Sequence, residues 1–145
     1  MQFQYTEQVL FALTPLSITV ICHGLGMALV RRSYRRFGAP MLRRDAHTFA
    51  RSLFMIGIVT LMLLTHFAEI IVWAVFYRQM GMLASVQEAM FYSMEYYTTL
   101  AVNVQKLPGH WAGFGGFEAM TGMLMFGWST AVLAVVVQKM HSIDE

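Results

Sequence analysis

Ionisable side chains are rare inside apolar helices, yet His66 and Glu69 stand three residues apart in Ser52 to Tyr77, a run whose only other potential charge is none at all. Spacing of i, i+3 puts both on one helical face, close enough to hydrogen-bond. Such groups at membrane depth are candidates for function. The chemistry open to them is a proton-sensitive gate or half of a metal site. The plainer role is a self-satisfied pair that locks its helix to its neighbours. His23 lies in a separate apolar run, and two histidines on two spans raise the question of a bis-histidine haem and a redox role. Counted from the basic ends of their runs, His23 sits about seven residues in and His66 about fifteen, an offset of roughly 12 Å. The two rings are therefore expected not to meet, and no haem or metal site is expected. His110 beside Trp111 has no second ligand nearby in sequence. Met120, Met123 and Met125 lack accompanying soft ligands and read as apolar filler rather than copper ligands.

The elements that must carry these residues are set by composition. Of 145 residues, 57% are hydrophobic and 12% charged, and the mean hydropathy is +0.54. A globule of this size cannot hide so much apolar surface, so a bilayer is the expected solvent. Three runs have the roughly 20 apolar residues needed to cross it: Val9 to Val30, Ser52 to Tyr77 and Ala119 to Gln138. Seven of the ten Lys and Arg residues (Arg31, Arg32, Arg35, Arg36, Arg43, Arg44 and Arg51) fall in the first connection. Flanked by two spans, this cluster reads as a cytoplasmic loop that attracts anionic lipid, not as a nucleic-acid surface. It orients the N-terminus outside and the C-terminus in the cytoplasm, in the inner membrane. The first run is not a cleaved signal peptide, because its basic charge follows the apolar stretch instead of preceding it. The single cysteine, Cys22, forms no intrachain disulfide.

Between the second and third runs, Val86 to Leu100 is aromatic and helix-compatible. Its length gives about 22 Å of helix, short of a bilayer. Ala101 to Gly116 is rich in glycine and contains Pro108, so it must be irregular. Irregular backbone at membrane depth survives only where protein buries it or where it lines a wet cavity. A re-entrant loop is the economical reading; an extracellular loop with a surface helix is the other.

Phe91-Tyr92-Ser93-Met94-Glu95 followed by Thr98-Thr99-Leu100, with Trp111 and then Glu118-Ala119-Met120-Thr121-Gly122 and Phe126-Gly127-Trp128-Ser129-Thr130, resembles the pore domain of potassium channels. Leu53 to Lys139 is similar to small prokaryotic ion-channel proteins of the two-helix pore type. The resemblance implies an all-α membrane protein: three transmembrane helices, a re-entrant pore helix and a filter loop, assembled as a homotetramer. Residues 1–51 would form an extra helix and basic loop. Residues 52–145 would form the pore domain, with outer helix 52–77, pore helix 86–100, filter 98–104 and inner helix 118–140. By resemblance, Thr98, Thr99, Leu100, Ala101, Val102 and Asn103 line the filter, while Glu95, Tyr97 and Val104 support it from behind. Gly122 and Gly127, with His66 and Glu69, are placed in gating or packing.

The filter departs from the family. Ala101, Val102, Asn103 and Val104 replace the glycine, tyrosine, glycine and aspartate of the potassium signature. Carbonyl stacks need glycine's backbone freedom, and Ala101 at positive φ would cost about 1–2 kcal/mol. Asn103 could instead offer amide dipoles to a partly hydrated cation. The implied function is a cation channel, not an enzyme, weakly selective for monovalent cations such as potassium or sodium and without a bound cofactor. The alternative is a non-conducting homologue with a structural or sensory role.

Overall fold

The structure is a computed structural model that describes residues 2–43, 48–100, 107 and 109–141. Among these residues every regular element is helical. Helix α1 (Gln2–Ser33) runs through a π-helical turn (Tyr34–Gly38) into α2 (Ala39–Arg43). Helix α3 (Thr48–Gln79), α4 (Val86–Tyr97), a 3₁₀ turn (Gly109–Trp111) and α5 (Gly115–His141) follow. Three helices are long and apolar enough to cross a bilayer: Thr6–Met41, Phe49–Gln79 and Gly115–Met140. With their outward aliphatic and aromatic side chains exposed, they mark a membrane-embedded protein.

Helices α1 and α3 share the broadest interface, and α4 is packed between α3 and α5. The α1–α3 register is antiparallel: Gly38 faces Phe54, Gly26 faces Thr65, and His23 faces Glu69. Gly26 permits this approach, because a Cβ there would collide with the Thr65 side chain. Helix α3 ends in a Schellman closure. Gly81, at φ 66°, donates to the Arg78 carbonyl, and Met82 donates to that of Tyr77, the pattern that satisfies orphan carbonyls at a helix end.

Helix α4 then starts at a capping box. The Ser85 hydroxyl accepts from Glu88 N at 3.1 Å and Ser85 N donates to the Glu88 carboxylate at 3.2 Å. From there α4 runs back along α3: Tyr92 packs on Tyr77, Ser93 bonds the Ile70 carbonyl, and Tyr97 reaches Glu69. It is three residues shorter than the sequence suggests, ending at Tyr97 with Thr98 as cap. Thr99 explains the stop. Its φ is 60°, a left-handed conformation that costs a β-branched residue about 1–2 kcal/mol and cannot continue a helix.

An aromatic core of Trp73, Tyr77, Tyr92, Tyr97 and Phe114 fills one end of the bundle. Met27, Val30, Ile58, Met62, Val136 and Met140 fill the arginine-rich end. Trp111 packs edge-on against Phe11, with centroids 5.5 Å apart, which ties the segment before α5 to the first turns of α1.

Candidate functional site

Four helices each send polar side chains to one buried point midway along the bundle. His23 comes from α1, His66 and Glu69 from α3, Tyr97 from α4 and Ser129 from α5. His23, Glu69 and Tyr97 have no solvent exposure, and His66 and Ser129 retain 7%. The expected vertical offset between the two histidines is not observed: their ring centroids lie 5.4 Å apart. The first helix does not stop at Val30 but stays helical to Arg43, and α3 begins at Thr48. His23 is thus 20 residues before Arg43 and His66 18 residues after Thr48, nearly level in an antiparallel pair.

The contacts close into a ring. His23 Nδ1 lies 2.8 Å from Glu69 Oε1, and the Tyr97 hydroxyl donates to Glu69 Oε2. His66 Nδ1 lies 2.9 Å from the Tyr97 oxygen, and its Nε2 lies 3.0 Å from Ser129 Oγ. Ser129 Oγ completes the circuit to His23 Nε2 at 3.4 Å. A side contact of 3.4 Å joins His66 Nδ1 to Glu69 Oε2. Trp128 covers His23 and Phe126 covers His66, with centroids at 4.9 and 4.5 Å.

A hydrogen count shows what this ring holds when every contact is bonded. Five contacts require five hydrogens. Tyr97 and Ser129 supply one each, and two neutral imidazoles supply one each. With Glu69 ionised, that set is one hydrogen short and leaves a net negative charge in the apolar centre, a costly arrangement. A single additional proton shared by His23 and Glu69 closes the last contact and neutralises the cluster. The four shorter contacts close with the hydrogens of Tyr97, Ser129 and two neutral imidazoles, and only the 3.4 Å contact calls for a fifth. His23, His66 and Glu69 also bring three ligand atoms within 4.8 Å of one another. A metal ion could enter only in place of that proton and of the hydrogen bonds between the donors.

A second polar cluster lies nearer the capped start of α4. Fully buried Glu118 accepts from the Tyr77 hydroxyl at 2.7 Å, and its Oε1 lies 2.5 Å from Ser93 Oγ. Ser93 Oγ is also 2.8 Å from the Ile70 carbonyl. One hydroxyl hydrogen cannot serve two acceptors. The count closes when Glu118 is a carboxylic acid that donates to Ser93, leaving Ser93 to donate to Ile70.

Of the residues singled out in the sequence, the structure brings together His66, Glu69 and Tyr97. Tyr97 acts through its ring and hydroxyl on the central cluster. Thr98, Thr99 and Leu100 follow it, Thr99 and Leu100 exposed on the single chain. Ala101, Val102, Asn103 and Val104 lie outside the described residues. Glu95 is half-buried, and its carboxylate has no bonding partner among the described residues. Gly122 is a contact glycine, since a Cβ there would strike the Tyr97 carbonyl; Gly127 has open space beside it. His23 was considered only as a haem ligand and set aside, and Ser129 and Glu118 were not expected as site residues. The lone acid at the head of α5 was the available sign for Glu118. Comparisons with protein-family models, curated proteins and solved structures find no match to this chain.

Proposed function

We propose that the chain is one subunit of an oligomeric pore, a tetramer by the resemblance of its sequence, that passes monovalent cations with weak selectivity. The observation that carries this reading is where α4 stops. It enters beside the end of α3 and finishes at Tyr97 opposite Glu69, ten residues before that helix ends, or about 15 Å of helical rise. In this reading α4 is a re-entrant helix whose C-terminus delivers non-helical backbone to the centre of the bilayer. Exposed Thr99 and Leu100 then require cover by other copies or by a wet passage.

The electrostatics favour cations. The C-terminal end of a helix carries about half a negative charge, and α4 directs that end toward the bilayer centre. The Thr98 hydroxyl bonds the Met94 carbonyl at 2.7 Å, which stiffens the exit from the helix. Thr98 to Asn103 would form the narrow part of the path and α5 the wall below it.

The test is ion flux into liposomes from the reconstituted protein, with potassium, sodium and a large organic cation compared. Flux of the two small ions at similar rates, and none of the large one, is expected. Intact oligomers that pass no ion would remove the channel reading in favour of a non-conducting membrane scaffold. In the same assay, Ala101→Gly with Val102→Tyr, Asn103→Gly and Val104→Asp should raise the preference for potassium.

A further inference from the structure

At the arginine-rich end of the bundle, residues of α1, the π-helical turn and α5 line a cleft of about 400 Å³. Arg31, Arg35 and Lys139 line its mouth, while Val132, Val135 and Trp128 line its wall. No acidic side chain is among the described residues that line it. We propose that this cleft binds one anionic phospholipid, with the phosphate at the three cations and an acyl chain along α5 as far as Trp128.

Three observations converge on that occupant. The first is depth. From Lys139 to Trp128 the α-helical rise gives about 16 Å, half of a hydrocarbon core about 30 Å thick. Trp128 in turn packs at a tilt against His23, centroids 4.9 Å apart, at the level of the central ring. The cleft is one leaflet deep. The second is polarity along that depth: cations stand only at the mouth, and the wall below them is aliphatic and aromatic. A free anion would satisfy the mouth alone, and a neutral lipid the wall alone. The third is that the cations are already arranged. Arg31 and Arg35 share one face of a continuous helix, and Lys139 Nζ sits 5.8 Å from the Tyr34 ring centroid, which directs it to the same opening. Basic groups at a membrane surface attract anionic headgroups, and long basic side chains reach the interface from within the bundle.

The experiment uses the full-length protein in vesicles doped with chain-brominated phosphatidylglycerol or chain-brominated phosphatidylcholine, with tryptophan fluorescence as the readout. Bromine quenches on contact, and the difference between the protein and its Trp128→Phe variant isolates Trp128. Phosphatidylglycerol should quench that component at a mole fraction about tenfold lower than phosphatidylcholine, given three interfacial cations. The exposed-site variant Arg31→Gln/Arg35→Gln/Lys139→Gln should abolish the difference, and Arg35→Lys should keep it. Equal quenching by the two lipids, or a preference that survives the triple substitution, would overturn the assignment. So would the absence of quenching by either lipid, the result expected if another copy of the chain fills the cleft.

Discussion

Glu69 and Glu118 are both fully buried carboxyls within the same bundle, and each accepts from a tyrosine hydroxyl. Their remaining partners differ. Glu118 meets a serine and, among the described residues, has no base beside it, so its hydrogen count closes with a proton on its own carboxyl. Glu69 lies between two imidazoles, so its proton has more than one place to sit. The decisive addition is His23 from α1. Two buried acids with similar burial thus become different devices. One is a fixed polar clip between α3, α4 and α5. The other is a hydrogen-bonded ring to which all four helices contribute.

The largest effect expected from breaking that distinction is at Glu69. Glu69→Ala strands His23 Nδ1 and the Tyr97 hydroxyl in an apolar interior. Removing one partner of a buried charge-assisted pair costs roughly 3–5 kcal/mol. Thermal unfolding in detergent should show a loss of that order. The matching change Glu118→Ala strands only neutral hydroxyls and should cost about 1–3 kcal/mol. Equal losses at the two sites would remove the contrast between them.

Gly122 offers a way to separate the clusters. Its missing Cβ makes room for the Tyr97 carbonyl, so Gly122→Ala should push the end of α4 off α5. The Tyr97 hydroxyl would then leave the central ring, while Ser93, one turn earlier, keeps its bond to Ile70. Overpacking of this kind costs about 1–3 kcal/mol. Tyr97→Phe in the Gly122→Ala background should add less than it does alone, because the bond is already lost. Full additivity in that double-mutant cycle would show that Gly122 does not position Tyr97.

How much of this was readable beforehand follows from the kind of signal each feature leaves. The long apolar runs announced α1, α3 and α5, and the aromatic segment from Val86 announced α4. The i, i+3 spacing of His66 and Glu69 announced their shared face. The partners across helices were hidden for a physical reason. Positive charge at Arg31 marks where a span leaves the hydrocarbon, not where a helix ends, and α1 stays helical well past it. Counting depth from the charge instead of from the helix ends at Arg43 and Thr48 separated two histidines that lie side by side. Glu118 was legible as an acid at a helix start, where it suits the helix dipole. Its burial depends on the α4 crossing, which no local pattern encodes. Gly122 gave a hint of close contact but not of its partner, since a backbone carbonyl leaves no trace in sequence.

The smallest expected effect is also the sharpest test of the proton count. Glutamine has the shape of a carboxylic acid and can donate from its amide while accepting at its carbonyl. If Glu118 is an acid, Glu118→Gln reproduces every bond: the amide donates to Ser93, Tyr77 donates to the carbonyl, and Ser93 still donates to Ile70. Stability should then change by less than about 0.5 kcal/mol, within the range of neutral substitutions. The infrared spectrum should meanwhile lose one protonated-carboxyl C=O band. Were Glu118 ionised, the amide would bring hydrogens toward a serine hydroxyl already donating to it, and the variant would approach Glu118→Ala in cost with no such band to lose. The two readouts move together under either protonation state, so a single variant decides whether the clip next to α4 is neutral by construction.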